Sequence, residues 1–126
     1  MLFRSLAEYR WLSYSQASEQ RTAIGSGLMS LGVPSGAAVG LYGVNSASWM
    51  LVDLALHAYS MLSIPLYDTL GPDAVQYICG HAELVAVACA PPQAAILLEC
   101  LPQCPTIRLI VRPCSPMSVF LPKLSV

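Results

Sequence analysis

Charge is what this sequence has least of. Asp, Glu, Lys and Arg together make up 10% of its 126 residues, against roughly a quarter in a typical soluble domain. Lysine occurs only at Lys123, and the five arginines are scattered; with a net charge of −1 there is no basic patch to neutralise phosphates, so a nucleic-acid partner is not expected. No 18-residue apolar stretch is free of interruption. The most apolar run, Ala47 to Leu66, contains Asp53, His57 and Pro65, so no transmembrane helix is expected. The N-terminus has no apolar core of a secretory signal. The five cysteines form no C-x-x-C pair, and only His57 and His81 could join them; a metal site is therefore not expected, and the thiols read as those of an intracellular protein.

Apolar residues are what the chain has in excess, at 56%. A chain of this length encloses a modest core, so much of its surface is expected to be covered by something else.

The apolar pattern resolves into alternating elements. Trp11-Leu12 reads as a short extended segment, and Ser13 to Gln16 as a capping box opening a helix. Ala17, Ile24, Leu28 and Leu31 form the stripe of that helix, with Glu19, Gln20 and Arg21 outward. Gly25 and Gly27 interrupt it and suit close packing on a neighbour; as Gly25-Ser26-Gly27 lies inside a helix and lacks a third glycine, it is no dinucleotide fingerprint. Ala37 to Tyr42 and Leu84 to Cys89 are continuous apolar runs, the pattern of parallel strands buried on both faces, and Met61 to Leu66 and Ile107 to Val111 read as two further strands. Between them lie helices over Ala47 to Ser60, Pro72 to Ala82 and Pro91 to Leu101. The second helix is apolar nearly all round, which suits burial in a larger protein. Its Asp53 and His57 are an i, i+4 pair and not part of a triad, because no nucleophile is marked by a strained turn. The rhythm predicts an α/β fold with a mostly parallel sheet and helices on both faces. Residues 1–8 read as an N-terminal extension, and residues 112–126, rich in proline, as a divergent, disordered tail.

At the centre, Pro65 to Asp73 reads as a strand end, a loop and a helix start: Asp68 and Thr69 are turn residues, Gly71 a cap, Pro72 a first helical residue and Asp73 an acid at the positive helix end. Such an end suits an anion, although a purely connecting turn explains the same residues.

The runs Trp11 to Tyr14, Arg21 to Leu28 and Pro65 to Val75 resemble the N-terminal part of eukaryotic long-chain acyl-CoA synthetases of the plant and algal type, within the adenylate-forming, AMP-binding superfamily. The likeness spans residues 9–111, and the Leu-Tyr-Asp-Thr-Leu-Gly run is its most specific part. It implies a partial three-layer αβα subdomain of the adenylate-forming fold. It also implies the parent activity: ATP and Mg2+ convert a long-chain fatty acid to an acyl-adenylate, and the acyl group passes to coenzyme A. The family's phosphate loop, Thr-Ser-Gly-Thr-Thr-Gly-x-Pro-Lys-Gly, is not in this sequence, and Lys123 is no substitute for the catalytic lysine of the C-terminal domain. The expectation is an N-terminal fragment, inactive alone and binding none of these cofactors, whose apolar surface the rest of the enzyme covers; a short isoform acting as an interaction module is the alternative. No catalytic residue is assigned. The likeness to the acetyl-CoA synthetase branch sets Tyr67, Asp68 and Thr69 over a Phe-Gly-Gly loop beside the nucleotide part of coenzyme A, which makes them candidate cofactor contacts, against the alternative of a plain turn. Peroxisome and the cytosolic face of the endoplasmic reticulum stay open as locations.

Overall fold

A computed structural model describes residues 11–113 and 118–120. Its helices start and stop on local chemistry that the sequence spells out. Helix α1 (Tyr14–Ser30) opens on a full capping box: Ser13 Oγ accepts from Gln16 N–H at 3.1 Å, and Gln16 Oε1 accepts from Ser13 N–H at 2.9 Å. At its other end Gly32 takes the left-handed conformation (φ +91) while Val33 N–H returns to Leu28 O, a Schellman stop whose two apolar residues both enter the core. Helix α2 (Ala47–Ala58) is capped by Ser46 Oγ, and α3 (Pro72–His81) and α4 (Pro91–Cys100) start on prolines that give up an N–H no helix end could use.

The same Schellman stop closes α2 and α3, with non-glycine residues in the left-handed position: Ser60 (φ 57) and Glu83 (φ 51). Met61 N–H returns to Leu56 O and Leu84 N–H to Cys79 O. This corrects two expected strand starts. Met61 and Leu84 are buried, but their N–H groups belong to the preceding helices, so β2 runs Leu62–Leu66 and β3 Ala86–Cys89. Ile107 likewise spends its N–H on Cys104 O, and β4 is Leu109–Arg112.

Together with β1 (Ala38–Tyr42) and β5 (Ser118–Phe120), these strands form one sheet of order β2-β1-β3-β4-β5. All pairs are parallel except β4 with β5, which is antiparallel. The α/β expectation holds: α1 and α2 cover one face with Val39, Leu41, Ala86, Ala88, Leu109 and Val111, and α3 and α4 cover the other with Tyr42, Leu66, Val87, Cys89 and Ile110. Strand residues alternate strictly between the two cores. In β1 and β3 both faces are buried, so the alternation leaves no polar trace in their sequence.

Three further expectations change. Trp11 and Leu12 join no strand and are exposed. Leu31 leaves the α1 stripe to become its exposed C-cap, as the Schellman turn rotates it outward. In the stretch read as a structureless tail, Arg112 completes β4 and Ser118–Phe120 pairs with it; residues 114–117 and 121–126 of that tail and the 1–8 extension lie outside the described residues. Helix α2 is not enclosed in this chain, since Met50 and Leu54 stand 55% and 44% exposed.

Candidate functional site

The order of the strands decides where a ligand could sit. The chain passes from β1 outward to β2, then returns across β1 to build β3 and β4 on the opposite side. At that reversal the connections leave the carboxyl ends of β1 and β3 in opposite directions, and open α/β sheets bind ligands in the resulting crevice. Here it is a cavity of about 150 Å3, small beside the several hundred Å3 of a complete small-molecule pocket.

Its walls come from Gly43, Val44 and Ser46 in the β1–α2 loop, Trp49 on α2, Ala90 and Pro91 after β3, and Arg112 at the end of β4. The two helices that start here are unequal. Pro91 and Pro92 bring no N–H, and Gln93 and Ala94 both donate to Ala90 O, so the α4 end offers no donor. The α2 end engages Trp49 N–H with Ser46 Oγ and leaves the N–H groups of its first two residues unused by the helix. That end and the exposed Arg112 guanidinium are the positive features of the crevice. The sequence reading missed this place. Gly43-Val44-Asn45-Ser46 was visible as a strand-to-helix turn, but only the strand order singles it out.

Tyr67, Asp68 and Thr69 lie on the edge of the sheet, beyond the end of β2. They form a closed turn, with Leu70 N–H donating to Tyr67 O at 3.1 Å, and all three are exposed. Helix α3 follows with Gly71 as an N-cap that supplies no side-chain bond, and the first helical bond there is Val75 N–H to Gly71 O. Two carboxylates, Asp68 and Asp73, stand near this positive end, and Asp73 already occupies the first turn. An anion could join them only with cations brought from elsewhere. Beneath the turn, the phenol of Tyr42 is buried without a hydrogen-bond partner; burial first, then the thiol of Cys100 and the Asp68 carboxylate, push its pKa up.

Asp53, His57 and Ser63 come together on the other face. Ser63 Oγ donates to Asp53 Oδ1 at 2.6 Å, and His57 Nδ1 lies 3.8 Å from Asp53 Oδ2. The carboxylate stands between hydroxyl and imidazole, so the histidine cannot take the serine proton, as acyl-transfer chemistry requires. The cluster ties α2 to β2. Among the described residues no group of three His, Cys, Asp or Glu side chains could hold a metal ion, and no helix is long and apolar enough to cross a membrane.

Comparison with known proteins gives one consistent result. Residues 2–119 match the sequence profile of the AMP-binding enzymes. Peroxisomal long chain acyl-CoA synthetase 7 of Arabidopsis thaliana is 51% identical over 107 residues, covering 85% of this chain and 15% of that protein. Long-chain-fatty-acid–CoA ligase 6 of Homo sapiens is 39% identical over 92 residues, 71% of this chain and 13% of that one. Among solved structures, an anthranilate CoA ligase in complex with anthranoyl-AMP superimposes with a TM-score of 0.77 at 21% identity, over 80% of this chain and 20% of that one. The A domain of a carboxylic acid reductase from Segniliparus rugosus gives 0.77 at 19% identity, over 82% and 17%. The chain thus spans about one seventh of the length of the curated relatives it matches.

Proposed function

The chain belongs to the AMP-binding enzyme family, and from that premise we propose that it supplies the N-terminal αβα layer of a long-chain fatty acid–CoA ligase. The whole enzyme would use ATP and Mg2+ to make an acyl-adenylate and would then pass the acyl group to coenzyme A. The identity of 51% with a long chain acyl-CoA synthetase carries this reading. Nothing in the described site supplies a nucleophile, a base or a phosphate cradle of its own. The part played by this chain is therefore support: it brings the β1–α2 turn, the α2 end and Arg112 to the carboxyl edge of the sheet, where the groups missing from this sequence would complete a site. Tyr67, Asp68 and Thr69 are read as a turn on the coenzyme A side, with Asp68 requiring a neighbouring cation.

The apolar residues left exposed, among them Met50, Leu54 and Leu62, fit this role, because the covering partner would be the remainder of the same enzyme. Three of the relatives are peroxisomal by name, which makes the peroxisome the first compartment to examine.

The test is a chimera in which this chain replaces the matching segment of the Arabidopsis enzyme. It should form acyl-CoA from palmitate, ATP and coenzyme A, while the isolated chain should give no calorimetric heat with ATP, AMP or coenzyme A. A folded chimera that neither exchanges pyrophosphate into ATP nor makes acyl-CoA would overturn the reading.

A further inference from the structure

One flank of the sheet lacks a cover. On α2, Met50, Asp53, Leu54 and His57 fall at i, i+3, i+4 and i+7, a single stripe, while Val52, Ala55 and Leu56 on the opposite side are buried. Met50 and Leu54 stand exposed. Asp53 ties the stripe to β2 through its 2.6 Å bond from Ser63, and β2 is the edge strand. That strand is also the least buried of the parallel set: β1 and β3 are buried along nearly their whole length, as parallel strands are, whereas Leu62 and Pro65 are exposed and Ser63 and Ile64 are half-buried.

The edge is poorly made for pairing with another strand. Leu62 N–H donates to Ala37 O, so by alternation the outward row of the edge is Met61, Ser63 and Pro65. Met61 N–H is spent on Leu56 O and Pro65 has no N–H, which leaves Ser63 as the one outward donor of the three. A second copy docked stripe to stripe would further set one Asp53 carboxylate against the other. The Asp53 carboxylate, 20% exposed, still has room for a donor: Oδ1 accepts from Ser63, but His57 Nδ1 stands 3.8 Å from Oδ2, beyond hydrogen-bond range.

We infer that the α2 stripe and the β2 edge are where the remainder of the enzyme packs on this chain, by side chains and not by strand addition. The covering layer brings apolar residues over Met50 and Leu54 and a hydrogen-bond donor or cation opposite Asp53. Leu62 alternates with Ile64 and Leu66 onto the α3 side of the sheet, so the cover wraps round the edge. This rests on the reading of the chain as part of a long-chain fatty acid–CoA ligase. Relatives of which the chain spans about one seventh have ample polypeptide to supply that layer.

The experiment compares the isolated chain with the chimera in the Arabidopsis enzyme. Hydrogen peroxide should oxidise Met50 in the isolated chain, and in the chimera that oxidation should be lost, as read by mass spectrometry. Met50→Lys combined with Leu54→Lys should leave the urea midpoint of the isolated chain unchanged, because both sites are exposed there. In the chimera the same double variant should lower the thermal midpoint and the rate of acyl-CoA formation. A parent chimera that makes no acyl-CoA removes the ligase reading and this surface with it. A chimera that makes acyl-CoA while Met50 is oxidised as fast as in the isolated chain, or while the double variant changes nothing, overturns the docking surface and leaves the ligase reading standing. A double variant that abolishes self-association of the isolated chain and spares the chimera assigns the flank to a second copy, which overturns the inference equally.

Discussion

The ring of Tyr59 occupies the space where Gly25 would carry a side chain: a Cβ built on Gly25 overlaps three ring carbons of Tyr59. The phenol then reaches Thr22 O at 3.4 Å. Gly25 is buried in α1 and Tyr59 is the C-cap of α2, so this one contact sets how closely the two helices approach. Gly25→Ala should therefore destabilise the fold by about 1–3 kcal/mol through overpacking, despite the roughly 1 kcal/mol that alanine returns in helix propensity. Urea unfolding measures the difference, and a variant as stable as the parent would show that the helices can part at no cost.

Glycine is absent from a position that wants it. Ser60 holds φ 57 at the stop of α2, a conformation costing a non-glycine residue about 1 kcal/mol. Ser60→Gly should raise stability by about 0.5–1 kcal/mol, and Glu83→Gly should do the same for α3. Thermal unfolding of the two single variants and the double variant is the check, with near-additive gains expected because the stops belong to different helices.

The bond from Ser63 to Asp53 predicts a coupling between α2 and the edge strand. Ser63→Ala and Asp53→Asn should each cost about 1–2 kcal/mol, and the double variant less than their sum, because the pair shares one charge-assisted hydrogen bond. Full additivity in the double-mutant cycle would mean that the two groups do not interact in solution.

Pro65 governs the free edge of the sheet. Leu62 N–H donates to Ala37 O, so by alternation the nitrogen of Pro65 faces away from β1, where its missing hydrogen costs the sheet nothing. Pro65→Val should leave stability within about 0.5 kcal/mol, the usual range for a surface substitution, yet increase self-association, because it adds an outward N–H to an exposed edge that also carries Leu62. Light scattering against concentration distinguishes parent from variant.

Alkali should unfold the protein through its thiols. Burial raises Cys79 to about 12 and Cys89 to about 11 from an ordinary 9.0. Above pH 9 the unfolded chain loses protons that the folded chain keeps, so stability falls as pH rises, up to pH 11 for Cys89 and 12 for Cys79. Each thiol contributes about 1.4 kcal/mol per pH unit while in its window. Cys89→Ala should flatten the lower part of that slope; an unchanged slope would mean that Cys89 ionises freely in the native state.

Much of this structure is written locally. The caps at Ser13, Ser46 and Pro72, the four strand runs and the glycine at position 25 each announce their element, because helix caps, turns and burial periods act over a few residues, and the run from Pro65 to Asp73 carries the likeness to the synthetases. The strand starts at Met61 and Leu84 are misread for an equally physical reason: a buried apolar residue closing a helix looks the same in sequence as one opening a strand. What the sequence determined alone is therefore the alternation of helices and strands and the family. Tertiary structure decided the order β2-β1-β3-β4-β5. That order puts Pro65 on an edge, opens the crevice between Gly43 and Ala90, and sets Ser63 against Asp53. Each of these relations joins residues that only long-range packing brings together, and a local pattern holds no record of which distant segment will be its neighbour.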